Sequence, residues 1–412
     1  MSVTPGRKRM SGFADSISLE EAISRMASID WKRPGHTLRK SADCSGLIAS
    51  QKVLAAIDVP EQSVSAVDGY AIRARDTYDI LEGEARDFPV TGISEAGKGF
   101  AGTVPSGTCC EIYTGAPIPD ECDSVIMAED VTRHSDIIRI NRKTDSGKNV
   151  RTKGEDIKAG LQIAMPGDLL NSFRIGACIS SGVSEIDVLD PLNVSVISTG
   201  DELIEGSERH IANSSQRLIV DYFSRRWLNF KAAGVCPDDP ECIRSKIEKE
   251  ISFSDIVVVT GGTSLGMKDL VPEAMMEFGK TIFSGINMRP GRTITLYESG
   301  RKPVFSISGL PGPGLTSFET LFEVYVQKCL GIHAVRKTIY AKASQNIELK
   351  KNSTTLRRVK ILTGKDGTYF EAVKSSGIFS LLESDGVIQF KPEINSVKEG
   401  EIFPVKLNGW EV

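Results

Sequence analysis

The chain has 412 residues, of which 40% are hydrophobic and 25% charged, and its formal net charge is -4. This composition is typical of a multi-domain globular protein and gives no global attraction to nucleic acid or anionic lipid. No apolar run approaches the roughly 20 residues of a membrane-spanning helix, and no apolar core follows the basic N-terminal cluster. We therefore expect neither a membrane anchor nor a secretory signal.

The first predicted element is an amphipathic helix over residues 18–30, with Ser18 as the N-cap and Glu21 completing a capping box. A second helix is predicted over residues 45–56. From about residue 59 to residue 190, short apolar stretches are broken by Gly, Pro and Asp, which predicts mostly β structure.

Between residues 191 and 333, predicted strands alternate with predicted helices. The strands are NVSVIS, DIVVVT and PVFSIS, and the helices cover residues 214–228, 238–251 and 315–330. Such alternation predicts a parallel-rich sheet with helices on both faces, which is a three-layer α/β domain. After Gly331 short strands such as KTIYAKA and GVIQF return and predict a small β domain.

The eight cysteines and four histidines are scattered and form no C-x-x-C pair. Their spacing does not suit metal ligation, so we expect no structural zinc site. Reduced thiols fit a cytoplasmic protein.

Three glycine-bearing turns end predicted strands of the α/β region. Ligands bind beyond the carboxyl ends of such strands, where backbone N–H groups can surround an anion. Neither a Walker loop nor a G-x-G-x-x-G motif is present, so each turn alone is weak support for a ligand site. The candidates at these turns are Glu202, Gly261, Gly262, Ser264, Asp269, Pro311 and Gly312.

Several acidic candidates have a structural interpretation as well as a functional one. Asp269, with Pro272 behind it, suits the N-cap of a helix, which we favour for Asp269 taken alone. Glu202 has no obvious capping role, so ligand binding and a solvated loop remain equal alternatives. Asp68 stands in an Asp-Gly pair typical of a hairpin, and Asp156 lies in a charged RTKGED turn.

Arg289 and Arg292 flank a Pro-Gly turn. Two guanidinium groups suit phosphate or another oxyanion, although solvated surface arginines are an equal alternative. The sequence offers no nucleophile–base set, which disfavours covalent catalysis. Carboxylates, basic turns and glycine-rich strand ends together suit Mg²⁺ that bridges a phosphorylated ligand.

Nine segments, taken in order, resemble the MoeA/gephyrin-E family of molybdopterin molybdenumtransferases. The resemblance runs from about residue 20 to the C-terminus. Three features depart from the family pattern: PGPG replaces PGNP, a Pro-Phe pair before Asp68 is missing, and Ser375 replaces the first glycine of a G-S-G turn. The segments are SAVDGYAIRA, TGAPIPDECDSVIMAED, NVRTKGEDIKAG, VSVISTGDELIEG, NSSQRLIV, VVVTGGTSLGMKDLV, NMRPGRTITL, GLPGPGLTSFE and SSGIFSLLESDGV.

The resemblance implies a reaction and an architecture. The reaction is insertion of molybdate into the dithiolene of adenylyl-molybdopterin, with Mg²⁺ required and AMP released. The architecture is a homodimer whose cleft lies between the α/β domain of one subunit and the β-rich domain of the other. The implied domains are a discontinuous N-terminal linking domain (1–50 and 158–190), an inserted β-rich domain (51–157), an α/β molybdopterin-binding domain (191–333) and a small C-terminal β-barrel-like domain (334–412).

The resemblance also implies residue roles. Glu202 and Asp269 would be Mg²⁺ ligands, and Arg289 or Arg292 would attract molybdate. The implied catalytic carboxylates are Asp68, Asp156, Glu202 and Asp269. The implied substrate-binding residues are Thr114, Gly261, Gly262, Ser264, Arg289, Arg292, Pro311, Gly312 and Ser376.

Three other functions stay open at this point. They are a non-catalytic dimeric scaffold like gephyrin, a pterin-binding or nucleotide-hydrolysing relative, and a paralogue that prefers tungstate. Molybdate and tungstate are tetrahedral dianions of nearly the same size, and both are compatible with the sequence. We expect a contact with the upstream adenylyltransferase, and no contact with nucleic acid or membrane.

Overall fold

The structure is a computed structural model that describes residues 16–208, 210–262, 270–333, 336–374 and 377–409. Asp269, Ser264, Ser375 and Ser376 lie outside these ranges. Within them, every helix is too short or too polar to cross a membrane.

The described residues form the following helices and strands. The helices are α1 (Leu19–Ala27), α2 (Ser172–Ser180), α3 (Ser214–Phe223), α4 (Pro240–Phe253), α5 (Val271–Met275), α6 (Pro311–Val324) and α7 (Ile378–Glu383). The strands up to residue 199 are β1 (His36–Lys40), β2 (Val53–Leu54), β3 (Val64–Ser65), β4 (Gly69–Ile72), β5 (Arg86–Ser94), β6 (Cys109–Ile112), β7 (Ser124–Met127), β8 (Thr132–His134), β9 (Ile137–Ile140), β10 (Val150–Arg151), β11 (Gln162–Ala164), β12 (Glu185–Leu189) and β13 (Leu192–Thr199). The later strands are β14 (Leu228–Cys236), β15 (Ile256–Thr260), β16 (Lys280–Ser284), β17 (Met288–Arg289), β18 (Thr295–Ser299), β19 (Lys302–Ile307), β20 (Thr338–Ala343), β21 (Ile347–Glu348), β22 (Thr354–Gly364), β23 (Gly367–Ala372), β24 (Gly386–Phe390), β25 (Ser396–Val397) and β26 (Ile402–Leu407).

Helix α1 begins where the sequence predicts it. The Ser18 hydroxyl accepts the backbone N–H of Glu21 at 3.1 Å, which confirms the N-cap. The second hydrogen bond of the predicted capping box, from the Ser18 N–H to the Glu21 side chain, is not formed. The Glu21 carboxylate instead binds the Arg25 guanidinium one turn later. The buried face of α1 packs against the α/β core.

Residues 45–56, predicted as a helix, are not helical. Their backbone bonds to a segment far away in sequence: the N–H of Gly46 donates to Leu170, and the N–H of Ala49 donates to Asp168. Strand β2 then pairs with β11, as β1 pairs with β12. These tertiary hydrogen bonds replace the local ones that a helix would need.

The β structure predicted from residue 59 is confirmed by a six-stranded sheet of order β7-β4-β6-β5-β9-β8. Apolar clusters cover both faces of this sheet. Strands β3 and β10 pair beside it. Helix α2 is an exception within the region predicted as β, and it packs on the segment that contains β2 and β11.

The α/β prediction is confirmed by a second six-stranded sheet, of order β14-β13-β15-β19-β18-β16. The first four strands are parallel to one another. Strand β18 is antiparallel to its neighbour β19, and the edge strand β16 is antiparallel to β18. Helices α1, α3 and α6 cover one face, and α4 and α5 cover the other. The result is a three-layer domain with a parallel-rich sheet.

Helices α3 and α6 differ most from their predicted limits, and α4 (Pro240–Phe253) is shifted by two residues from the predicted 238–251. Helix α3 ends at Phe223 instead of continuing to Leu228, because Ser224 is extended and Leu228 opens β14 beside Leu192. Helix α6 begins earlier than predicted, at Pro311, and its last turn, Tyr325–Cys329, is π-helical.

The C-terminal strands close into a small barrel, since β22 pairs with both β23 and β24 in the order β22-β23-β20-β26-β24. A separate apolar cluster fills this barrel. Strand β17, which comes from the α/β region, adds to its edge by pairing with Thr354 and Thr355. The predicted barrel-like domain is therefore confirmed.

Candidate active site

Glycine turns meet at the carboxyl edge of the α/β sheet. A Cβ on Gly261 would lie 2.4 Å from the carbonyl oxygen of Thr199, and a Cβ on Gly309 would lie 3.3 Å from the Cα of Gly261. Gly261 also has φ +100°, which favours glycine. The ends of β13, β15 and β19 thus come close enough to form one surface, as the sequence predicts.

Thr199 supplies a polar group that sequence reasoning did not assign to the site. Its side chain is buried, and its hydroxyl oxygen has no hydrogen-bond partner within the described ranges. That oxygen would lie 2.8 Å from a Cβ on Gly261 and 3.2 Å from one on Gly262. A buried hydroxyl without a partner costs free energy, so a ligand on these glycines offers it a partner.

Glu202 follows Thr199 in a short helical turn, Asp201–Leu203. Its exposed carboxylate folds over Gly200, where a Cβ would lie 2.6 Å from a carboxylate oxygen. Asp201 has a structural task, because its carboxylate accepts the backbone N–H of Asp238 at 3.0 Å. Glu202 therefore presents the carboxylate available to a ligand, while its predicted partner Asp269 lies outside the described residues.

The arginine turn packs against the start of α6. A Cβ on Gly291 would lie 2.3 Å from the Cβ of Ser317 and 3.1 Å from the carbonyl oxygen of Pro313. Arg289 and Arg292 are both exposed beside this contact. The backbone of the turn therefore lies beside the N-terminus of α6, and the Arg292 guanidinium donates to Ser16 at 3.3 Å.

The first turn of α6 is poor in free donors. Pro311 and Pro313 have no N–H, and the N–H of Gly314 donates to Leu310 at 2.9 Å. Gly312 thus supplies the free N–H of residues 311–314 for an anion. The helix N-terminus keeps its dipole but offers few hydrogen bonds.

Asp68 and Thr114, both predicted site residues, form a direct pair. One carboxylate oxygen of Asp68 accepts the backbone N–H of Thr114 at 2.7 Å and its hydroxyl at 2.8 Å. The N–H and then the hydroxyl lower the pKa of Asp68. The hairpin interpretation of Asp68 is wrong, because Gly69 begins β4, where a Cβ would lie 2.0 Å from the carbonyl oxygen of Ile126.

The turn that carries Asp156 lies on the same part of the β-rich region. Strand β10, which leads into this turn, pairs with β3, which leads toward Asp68. Glu155 closes the turn by accepting the backbone N–H of Thr152 at 2.8 Å. Asp156 is exposed, and its own N–H donates to Val59. Glu155 is therefore structural, and Asp156 carries the free carboxylate.

Oxygen donors suited to Mg²⁺ are present at the sheet edge, namely the Glu202 carboxylate and the unpartnered Thr199 hydroxyl. Within the described ranges, no three His, Cys, Asp or Glu side chains form a preformed metal cluster. The donor set fits a cation held by few protein ligands and by substrate phosphates, as is usual for Mg²⁺.

Two family models match successive parts of the chain. Residues 17–182 match the model described as the MoeA N-terminal region (domain I and II), and residues 195–330 match the model of a probable molybdopterin binding domain. The chain belongs to the MoeA family. The second match covers the sheet whose carboxyl edge carries Thr199, Glu202 and Gly261.

Individual relatives agree with this membership. A putative molybdopterin biosynthesis protein of Methanocaldococcus jannaschii is 29% identical over 376 residues, which cover 87% of this chain and 89% of that protein. The molybdopterin molybdenumtransferase of Staphylococcus epidermidis is 28% identical over 402 residues, 95% of each chain.

Solved structures carry the same fold. The molybdopterin biosynthesis MoeA protein of Pyrococcus horikoshii, at 29% identity, has a TM-score of 0.79 and covers 95% of this chain and 99% of that chain. A second crystal structure of a MoeA protein from this organism, at 24% identity, has a TM-score of 0.82. The predicted family and fold are confirmed.

Proposed function

We propose that this protein inserts molybdate into the dithiolene of adenylyl-molybdopterin and releases AMP as the adenylyl–phosphate bond is cleaved. The observation that carries the proposal is the carboxyl edge of the α/β sheet. There the glycine turns, the unpartnered Thr199 hydroxyl and the exposed Glu202 carboxylate lie together in the region that matches the molybdopterin-binding model. The curated relative named molybdopterin molybdenumtransferase supports the reaction class.

The phosphates of the substrate suit the N–H groups of Gly262 and Gly312. The N–H of Gly261 donates to the carbonyl oxygen of Ile307 at 3.1 Å, so Gly261 contributes close backbone approach and not a donor. Because two prolines remove donors from the start of α6, the arginine turn takes a larger share of the anion binding. Arg289 and Arg292 would attract molybdate, a dianion, to the same edge. Catalysis then consists of positioning and electrostatic stabilisation.

Glu202 and Asp269 would hold Mg²⁺. The cation would offset the negative charge that phosphates and molybdate bring to one site. Thr199 would bind and orient an oxygen of the substrate or of a Mg²⁺-bound water through its free hydroxyl.

The second half of the site would come from another copy of the chain. The hydrogen bonds of Asp68 stay within the β-rich region, at Thr114 and Ala128, and its carboxylate and that of Asp156 are exposed. Both carboxylates are thus free to face a partner subunit. We propose a cytoplasmic homodimer with a shared cleft that takes its substrate from the upstream adenylyltransferase.

A product assay with purified protein tests the reaction. Adenylyl-molybdopterin and Mg²⁺ are supplied with and without molybdate, and AMP and molybdenum cofactor are both measured. We expect both products only when molybdate is present, and a loss in Glu202→Gln but not in Glu205→Gln, an exposed carboxylate nearby on the same loop.

Two results would contradict the proposal. AMP release without any oxyanion would indicate a nucleotide hydrolase, and a failure to bind the pterin would indicate a scaffold. Parallel assays with tungstate measure which oxyanion the site prefers.

A further inference from the structure

A buried ionic cluster joins α6 to the C-terminal barrel, and its residues are different from those of the glycine turns. The Arg336 guanidinium lies 2.7 Å from a carboxylate oxygen of Glu319 and 3.2 Å from one of Glu323. The side chains of Arg336 and Glu319 are each 1% exposed. Lys406, on β26, binds Glu323 at 2.8 Å and is 43% exposed.

A second arginine completes the cluster. Arg358 lies 3.8 Å from Glu319, and it donates to the hydroxyl of Thr316 at 3.1 Å and to Asn408 at 3.0 Å. Tyr222 donates its hydroxyl to Glu319 and stays neutral, because burial raises the pKa of its phenol.

The charges of this cluster do not balance. Two carboxylates, Glu319 and Glu323, face three cations, Arg336, Arg358 and Lys406. The two buried arginines and the two glutamates offset each other, so Lys406 carries the surplus positive charge at the edge of the cluster.

A cavity of about 90 Å³ opens beside this surplus charge. A water-sized group needs roughly 10–15 Å³ on this scale, so the cavity holds a group of several heavy atoms. Lys406 pairs with both Thr338 and Val387 on the barrel wall. The lining residues are Thr320, Arg336, Thr338, Leu356, Val387, Gln389, Pro404 and Lys406.

One lining group lacks a hydrogen bond. The Nε–H of Arg336 meets no acceptor within the described ranges, although its side chain is almost fully buried. A buried guanidinium N–H without an acceptor is costly. An anion in the cavity would meet this N–H, the Lys406 ammonium and the amide of Gln389.

We propose that the cavity binds a small tetrahedral oxyanion of the sulfate or phosphate type. The volume of the cavity is too small for a nucleotide. Its lining residues offer hydrogen-bond donors, and none of them is a carboxylate. The bound anion links α6, the segment at Arg336 and strand β26, so it stabilises the contact between the α/β domain and the barrel. This site is separate from the cleft of the proposed reaction and does not depend on that reaction.

A titration of the full-length protein with sodium sulfate tests the proposal. The thermal unfolding midpoint is recorded at constant ionic strength, balanced with sodium chloride. Sulfate stabilises any protein without saturation, whereas a site gives a saturable rise. We expect a saturable rise in the wild type and in Lys391→Gln, an exposed control on the same barrel.

Lys406→Gln removes the surplus charge and keeps the cavity. We expect its half-saturation concentration for sulfate to rise about tenfold or more, since a charge-assisted hydrogen bond is lost. Equal half-saturation in all three proteins, or a rise that never saturates, would overturn the proposal.

Crystals soaked in selenate provide the second test. Anomalous scattering should show one selenium between Arg336 and Lys406 in the wild type, and none there in Lys406→Gln. Wild-type selenate peaks found only at other places would also overturn the proposal.

Discussion

Asp68 receives two hydrogen bonds from a single residue, and both favour its ionised form. The N–H and the hydroxyl of Thr114 lower the pKa of Asp68, so it stays charged below the pH at which an ordinary aspartate takes up a proton. Thr114→Val removes the hydroxyl and keeps the N–H. We expect the pKa of Asp68 to rise and the acid limb of the pH profile of kcat/KM to move to higher pH.

Thr132→Val, an exposed position in the same sheet, is the control for that profile and should leave it unchanged. If the acid limb stays fixed in Thr114→Val, the reaction does not require an ionised Asp68.

Loss of a site carboxylate should abolish the reaction without unfolding the protein. We expect Asp68→Ala and Asp269→Ala each to lower AMP formation by about 100-fold or more, with unchanged circular dichroism. Asp120→Ala, an exposed aspartate of the β-rich region, should retain full activity. Normal activity in both site variants would show that these carboxylates are not the catalytic ones.

Arg289 should act on molybdate more than on the pterin, because its exposed guanidinium would attract the small dianion. In Arg289→Ala we expect the half-saturating molybdate concentration to rise about tenfold, while pterin binding changes little. Arg75→Ala, an exposed arginine of the β-rich region, serves as the matched control. Equal losses in titrations of both ligands would contradict this role.

At the scale of elements, the start of α6 explains one departure from the family pattern. A Cβ on Gly314 would lie 2.4 Å from the carbonyl oxygen of Ser308, so the proline that the family has at this position would not fit without a shift. Pro313 and Gly314 therefore form one consistent turn, in which a second proline stands one position earlier.

The same contact gives a stability prediction. Gly314→Ala should lower the free energy of unfolding by about 1–3 kcal/mol through overpacking. Gly176→Ala is the matched control, since Gly176 lies within α2 with no atom within 4 Å of its added Cβ. Gly176→Ala should raise the free energy of unfolding by about 0.5–1 kcal/mol. Urea unfolding followed by circular dichroism measures both, and equal effects would contradict the argument.

Sequence patterns predict elements well where local signals and packing agree. Strands β13, β15 and β19 are short apolar runs bounded by Gly or Pro, and all three are confirmed. The helix predicted over residues 45–56 is wrong, because the backbone of this segment bonds to Asp168 and Leu170, which are distant in sequence. The predicted end of α3 at Leu228 is wrong, because the register of β14 against β13 takes Leu228 into the sheet.

Sequence patterns likewise predict some features of the candidate site and miss others. Parallel strands end at one edge, so the meeting of the glycine turns follows from the alternation of elements. The bond between Asp68 and Thr114 spans 46 positions and depends on how β4 and β6 pair. The unpartnered hydroxyl of Thr199 depends on burial, which a motif does not reveal.

At the scale of the whole molecule, a shared cleft can be tested by mixing inactive subunits. Asp68→Asn and Glu202→Gln would damage opposite halves of the site. In co-expressed mixtures about half of the dimers combine the two variants, and each of these carries one intact cleft of two. We expect about a quarter of wild-type activity to return, measured as AMP formation per total protein.

The control mixture combines Asp68→Asn with Asp156→Asn, which lie on the same half and leave no intact cleft in a mixed dimer. Its activity should stay at background. If the first mixture also stays inactive while light scattering shows a dimer, each cleft belongs to a single chain.

Strand β17 has a consequence for any attempt to separate the domains. Its two residues, Met288 and Arg289, are held by Thr354 and Thr355 of the barrel, and the arginine turn follows at once. A protein truncated before the barrel would lose the neighbour that braces one end of this turn. The isolated α/β portion would then present Arg289 on a frayed segment. The barrel thus holds in position a basic group that belongs to another domain.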